Sequence, residues 1–241
     1  MTYEPRTYRA MADPGGLVTF EVVHAETDLQ ISAARDLSGE ASALVAGLRE
    51  ALEAYIAANP FFAESLVPVS ASAGAPQIAH AMADAACAAG VGPMAAVAGA
   101  VAEAVARGLQ SYSAEVIVEN GGDLYLMSHL ERMVLLGAGD SPLSGRVGLR
   151  FMPEAMPVAV CTSSAKVGPS LSFGSAHAAT VVASSGALAD AAASSVGNLV
   201  HGPDDIERAL ARAMEIPGVI GAVVVAGETI GAIGGVSLFR V

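Results

Sequence analysis

The stretch from Ala85 to Ala102 constrains this chain most: it is an uncharged run made almost wholly of alanine, glycine and valine. A run of that length raises the question of a membrane span. Gly90, Gly92 and Pro93 interrupt it, however, and glycine and proline punctuate helices. It reads as two buried helices meeting at a turn, with small-residue faces that let another element approach closely. The rest of the composition agrees. Hydrophobic residues make up 53% of the 241 and charged ones 15%, which excludes a disordered chain. Alanine alone is about a fifth, well above ordinary usage.

Net charge excludes another class. Twelve cationic residues against 24 acidic ones give −12, and a surface of that sign repels phosphate backbones unless a basic patch exists. The sequence shows no such patch, so no nucleic-acid partner is expected. Cys87 and Cys161 are the only cysteines, too few for a disulfide scaffold or a cysteine zinc site. With no apolar leader in Met1 to Asp13, they point to a reducing cytoplasm, without a membrane partner.

Hydrophobic periodicity gives the element order. Leu17–His24 and Asp28–Ala33 read as an opening hairpin. Ala41–Ala58 is helical, with Leu44, Leu48, Leu52, Tyr55 and Ile56 on one face, and Asn59-Pro60 stops it. Pro76 opens a helix to about Ala89, and Pro93 another to about Leu109. Strands follow at Ala114–Glu119, Asp123–Met127, Arg132–Leu136, Arg146–Phe151 and Val158–Cys161. A loop over Ser163–Ser175, a strand at Ala179–Ala183 and helices at Leu188–Leu199 and Asp204–Met214 come next. Val219–Ala226 and Thr229–Phe239 form a closing hairpin. This order predicts an α+β fold: one domain over residues 1–241, largely antiparallel, with helices packed on one face of the sheet. Each half reads as strands plus paired helices, a pattern that two duplicated units would give.

Four constellations carry chemistry. Glu119-Asn120-Gly121-Gly122-Asp123 reads on its own as a type I′ hairpin turn, with backbone approach to a ligand as the alternative. Asp190 and Ser194 sit four apart on a helix, so a carboxylate and a hydroxyl share a face and suit a hard divalent cation. The alternative is an acidic residue favouring the helix dipole. In the serine-rich segment from Cys161 to Lys166 and from Ser172 to His177, His177 suits general acid–base work. It equally suits a histidine satisfied by hydrogen bonds at a strand start. His80, Asp84 and Cys87 form a stripe that reads as a helical ion pair beside a buried thiol.

The order of these pieces resembles the ApbE-like superfamily, specifically its uncharacterised branch. Its marks are Gly92-Pro93-Met94-Ala95-Ala96-Val97-Ala98-Gly99, Val118 to Asp123, Val160 to Ser164, His177, Thr180 to Ala183 and Leu188 to Ser194. The resemblance implies a T-fold-like architecture and ligand binding between the units. It also implies FAD or FMN as cofactor with magnesium. A carbonyl near Ala96, Asp190 and Ser194 would be metal ligands, and Asn120, Gly121, Gly122, Asp123, Thr162 and Ser163 would line the cofactor site. The better-known branch transfers FMN to a threonine of a target protein. This chain has Ala98 where that branch has lysine, and it lacks the aspartate-proline loop after the histidine, so the resemblance does not carry FMN transfer over.

The expected activity is binding of a phosphate-bearing small molecule. If there is catalysis, it is transfer or hydrolysis at a phosphate ester, with Asp190 holding metal and His177 moving a proton. A non-catalytic assembly protein, packed as a homo-oligomer, and an accessory factor for a flavoprotein partner are the alternatives.

Overall fold

The computed structural model describes residues 15–165 and 173–241. Met1 to Asp13, Lys166 and Ser172 therefore lie outside the described residues. The chain opens with β1 (Val18–His24) and β2 (Thr27–Ala33), joined through a two-residue turn at Ala25-Glu26. Helix α1 (Ser38–Ala58) starts three residues before the expected Ala41 and ends at Asn59-Pro60. A one-turn helix α2 (Phe61–Glu64) follows, too short to show a period in the sequence.

The alanine run resolves into two helices. α3 (Gln77–Ala89) closes on Gly90, whose φ of 77° is the left-handed cap that glycine adopts at least cost. A 3-10 turn over Pro93–Ala96 leads into α4 (Val97–Leu109). The two helices bend by 103° at the break, and no single helix among the described residues is long and apolar enough to cross a membrane. Their alanine faces are buried.

The remaining elements are β3 (Val116–Asn120), β4 (Asp123–Met127), β5 (Arg132–Leu135), β6 (Val147–Phe151), β7 (Val158–Ser163) and β8 (Ala178–Ala183). Then come α5 (Gly186–Gly197), α6 (Ile206–Glu215), β9 (Val219–Ala226), β10 (Thr229–Gly234) and β11 (Ser237–Arg240). Among the described residues, eight strands form one sheet in the order β1-β2-β3-β4-β7-β8-β9-β10, and every pairing is antiparallel. The order is two similar runs side by side. Each has two strands, then helices, then two strands, and β4–β7 pairing joins them.

All the longer helices pack on one face, where Ile31, Val118, Tyr125, Cys161, Val181 and Val224 join the core they share. The other face meets a second sheet, β11-β6-β5, through Leu126, Val160 and Val182 against Val134, Leu149 and Phe151. This second layer corrects the expectation of a single closing hairpin. Thr229–Phe239 is not one strand: Gly234 has φ 78°, and the Gly235 N–H donates to the Ile220 carbonyl at 2.8 Å. The chain turns there, and β11 leaves to pair with β6. A buried ion pair pins the second layer: Arg132 Nη2 meets Glu115 Oε2 at 2.9 Å, with the Ser128 hydroxyl donating to the same carboxylate oxygen.

Ala25 is the described non-glycine residue at positive φ, 51°. That conformation costs an L-residue about 1–2 kcal/mol, against a glycine entropy cost of about 0.5–1 kcal/mol. Ala25→Gly should therefore raise unfolding free energy in urea by roughly 0.5–1 kcal/mol. A loss of stability would show that the turn does not hold this geometry.

Candidate functional site

Two helix N-termini meet at the centre of the helical layer. Gly99, in the first turn of α4, and Gly186, the first residue of α5, lie so close that a Cβ on either would overlap the other's carbonyl oxygen. The first N–H groups of a helix have no partner within it. Here each helix supplies the other. The Gly99 N–H donates to Asp190 Oδ2 of α5 at 2.9 Å, and the Gly186 N–H donates to Glu103 Oε2 of α4 at 2.7 Å. In both helices the carboxylate stands four residues after the glycine, one turn along the same face.

The sheet brings further groups to this seam. The Asn120 amide donates to the Ala98 carbonyl at 3.1 Å, and the Thr162 N–H donates to Asp123 Oδ1 at 3.0 Å. The Cys161 thiol points at the Gly186 carbonyl, 3.7 Å away. Asp123 and Asp190 are close enough to perturb each other. Burial, then the charge of Asp190, hold the Asp123 carboxyl well above its ordinary value, against the Thr162 N–H, which stabilises its charge. Burial raises Asp190 to about 7, opposed by the N–H groups of Gly99 and Ala98. Cys161 is pushed up by burial and by both aspartates.

The second carboxylate of the seam is treated differently. Glu103 Oε1 accepts from Arg107 Nε at 2.8 Å, so a guanidinium balances it. Among the described residues no ion pair reaches Asp123 or Asp190. Beside Glu103 lies Tyr125, fully buried, whose hydroxyl meets no hydrogen-bonding geometry among the described residues. Burial and the neighbouring Glu103 raise it to about 12.

Asn120, Asp123 and Asp190 thus converge. Gly121 and Gly122 form the two-residue turn between β3 and β4, with φ of 67° and 102°. Positive φ at both central positions is the type I′ pattern, so the turn reading holds, centred on the two glycines. The Gly122 N–H donates to Glu119 Oε1 at 2.7 Å, and the space where a Gly122 side chain would stand is open. The 3-10 turn ending at Ala96 packs on α5. Ser194 follows Asp190 by one turn on the half-buried side of α5. Ser163 lies against Gly197, one turn further along.

Two expected residues point elsewhere. The Thr162 hydroxyl lies 2.9 Å from that of Thr180. Successive strand residues face opposite sides, and Cys161 faces the helices, so this pair lies on the other face. His177 Nδ1 accepts from the Gly227 N–H at 3.1 Å, and Nε2 lies 3.3 Å from Asp140. It is four positions along from Val181, the partner of Cys161, roughly 13 Å down the sheet at roughly 3.3 Å per residue. On α3, Cys87 is exposed rather than buried, because the inward face runs through Ile78, Ala79, Met82, Ala86 and Ala89. His80 and Asp84 form no ion pair among the described residues.

Comparison with known proteins completes the picture. The family model described as AbpE bacteria matches residues 9–231. A UPF0280 protein of Methanocaldococcus jannaschii is 44% identical over 185 residues, covering 75% of this chain and 75% of its own. That of Methanopyrus kandleri is 43% identical over 225 residues, covering 89% and 90%. Among solved structures, a mutant of flavin transferase ApbE from Vibrio cholerae has a TM-score of 0.51 at 14% identity, over 94% of this chain and 98% of that one. The apo form of Pseudomonas stutzeri flavinyl transferase ApbE gives 0.50 at 16%, over 90% and 93%. At such identities the likeness is one of fold, and it agrees with the antiparallel α+β architecture.

Two predictions follow from the seam. A carboxyl raised from 3.8 to about 7 leaves the folded chain holding more protons than the unfolded chain between those values. Stability then falls as pH rises through that window. In chelator, the melting temperature should be lower at about pH 8 than at about pH 5, and Asp190→Asn should flatten the slope. A melting temperature that climbs over this range in the wild type contradicts the burial of these carboxyls. For the thiols, a disulfide reagent should titrate Cys87 at once and Cys161 only after denaturation, since the thiolate is the reactive form. Two fast thiols in the folded protein would exclude the arrangement at Gly186.

Proposed function

The chain belongs to the AbpE bacteria family, and from that premise we propose that it binds a flavin or another phosphate-bearing small molecule together with a divalent cation at the α4–α5 seam. One observation carries the reading. Asp123 and Asp190 are neighbouring carboxyls whose proton affinity burial raises, that of Asp123 further by the charge of Asp190, and among the described residues no ion pair reaches either. Like charges brought together in this way hold a proton or a cation. The neighbouring helix carboxylate, Glu103, already has Arg107.

The donor chemistry fits magnesium. Hard cations take oxygen ligands, and the residues that would hold the ion are Asp190, Ser194 one turn on along α5, and Ala96 through its backbone carbonyl. When bound, the ion supplies positive charge that offsets phosphate oxygens. The chain's own residues do the positioning. Asn120 fixes the start of α4 through Ala98, the Thr162 N–H orients Asp123, and the open side of Gly122 admits a ligand close to the backbone. FAD and FMN are the first ligands to test, because solved ApbE structures described as flavin transferases share this fold.

The reading stops at binding. Ala98 stands where FMN transfer would need a lysine. Both ring nitrogens of His177 are engaged at Gly227 and Asp140, so no proton transfer at the carboxyl pair is assigned to it.

Calorimetry with FAD, FMN and ATP, with and without magnesium, tests the proposal. Magnesium-dependent binding is expected in the wild type. Asp190→Asn should weaken it by at least roughly 10-fold, since changing even the partners behind a metal's direct ligands costs about 10- to 100-fold. Binding that ignores magnesium, or survives Asp190→Asn unchanged, removes the cation from the account. No heat with any of the three ligands removes the ligand class.

A further inference from the structure

The Asp190 corner has a counterpart in the other half of the seam. There the Gly186 N–H donates to Glu103 Oε2, as the Gly99 N–H donates to Asp190. A polar residue of β4 stands beside each carboxylate: Asp123 by Asp190, and Tyr125 by Glu103. Asp123 and Tyr125 are two positions apart on one strand. They therefore share a face and stand roughly 7 Å apart, at roughly 3.3 Å per residue. The corners differ in what accompanies the carboxylate. Arg107, one turn after Glu103, donates from Nε to Glu103 Oε1 at 2.8 Å, and its guanidinium carbon lies 5.4 Å from the centre of the Tyr125 ring.

A helical pair of this spacing is ordinarily a weak surface contact. Here the Glu103 side chain is only 19% exposed, and its second oxygen closes a helix N-terminus. Tyr125 is fully buried, and its hydroxyl meets no hydrogen-bonding geometry among the described residues. Buried hydroxyls normally find a partner. Arg107 balances the carboxylate and leaves the hydroxyl oxygen unmet. A hard divalent cation would take both, because its ligands are oxygens, and magnesium commonly rests on one or two carboxylates with water completing the shell.

We propose that the Glu103 corner is a second divalent-cation site, of the same design as the first, in which the Arg107 guanidinium stands in place of the ion. The inference rests on the reading of the Asp190 corner for the kind of ion. Sitting on the same helix, the guanidinium is always at hand, so an ion enters only when Arg107 withdraws. Its side chain is 52% exposed, which leaves it room to swing outward.

Manganese titrated into the metal-free full chain, with the free ion read by electron paramagnetic resonance, counts the sites. The wild type should take one ion and Arg107→Gln two. Arg107→Lys keeps the charge and should take one. In the Arg107→Gln background, Glu103→Gln keeps an oxygen to accept from Gly186 and should weaken the second ion at least roughly tenfold. An Arg107→Gln protein that takes no more ions than the wild type overturns the inference. So does a gained ion indifferent to Glu103→Gln, or a wild type that already takes two. Should Arg107→Gln fail to fold in chelator, manganese should restore the fold, since an ion bound only by the folded chain stabilises it; a variant left unfolded in manganese also overturns the inference. The first corner fails separately. A wild type with no ion and Arg107→Gln with one would remove the Asp190 site and keep the Glu103 site.

Discussion

Two reciprocal hydrogen bonds hold the helical layer together: Gly99 N–H to Asp190, and Gly186 N–H to Glu103. Each satisfies a backbone donor that the helix itself leaves open. Each also sets a carboxylate on the positive end of a helix dipole. The arrangement needs glycine at both positions, since the backbones touch. It needs a carboxylate one turn after each glycine, so that the acceptor reaches across. Everything near the seam is then registered to it. Asn120 ties β3 to α4 through Ala98, and Cys161 lays β7 against Gly186. The alanine-rich faces of α3, α4 and α5 allow this proximity, because a larger side chain would separate the helices before the bonds could form.

The two halves of this joint are alike in geometry and unlike in charge. Glu103 is balanced by Arg107 and reaches solvent through it, so its corner is closed and structural. Asp190 faces Asp123 instead. A buried carboxyl beside another is costly unless something positive or a proton sits between them. The difference gives a physical reason for one corner to be architecture and the other a binding place. It also gives a reason for a fold built from two similar runs to carry one proposed binding place rather than two.

Much of this was legible in the sequence, and the parts that were not have a common cause. The hairpins, α3 and α4 follow from local signals: two-residue turns, Pro76, Gly90 and Pro93, and a period in the apolar residues. Asp190 and Ser194 were visible as a pair because a helix sets them four apart. Glu103 was missed. Its spacing to Arg107 reads as an ordinary surface ion pair, and its tie to Gly186 spans 83 residues. Asp123 and Asp190 are also far apart in sequence, and only the family resemblance set them in one site. Cys161 belongs to the site for a reason that strand pairing alone reveals. The second sheet was hidden because Thr229 to Phe239 keeps an unbroken strand pattern, and the Gly234-Gly235 turn that divides it looks like ordinary strand glycine. His177 was attractive by type, yet its environment is set by Gly227 and Asp140, far away in sequence.

The proposed cation belongs to the Asp123–Asp190 corner and not to the Glu103 corner. The anomalous scattering of crystals soaked in manganese measures this directly. A peak is predicted beside the Asp190 carboxylate, within ligand reach of the Ser194 hydroxyl or the Ala96 carbonyl. No peak is predicted at Glu103. An empty seam in which the two aspartates share a proton, or a metal bound at Glu103 instead, would contradict it.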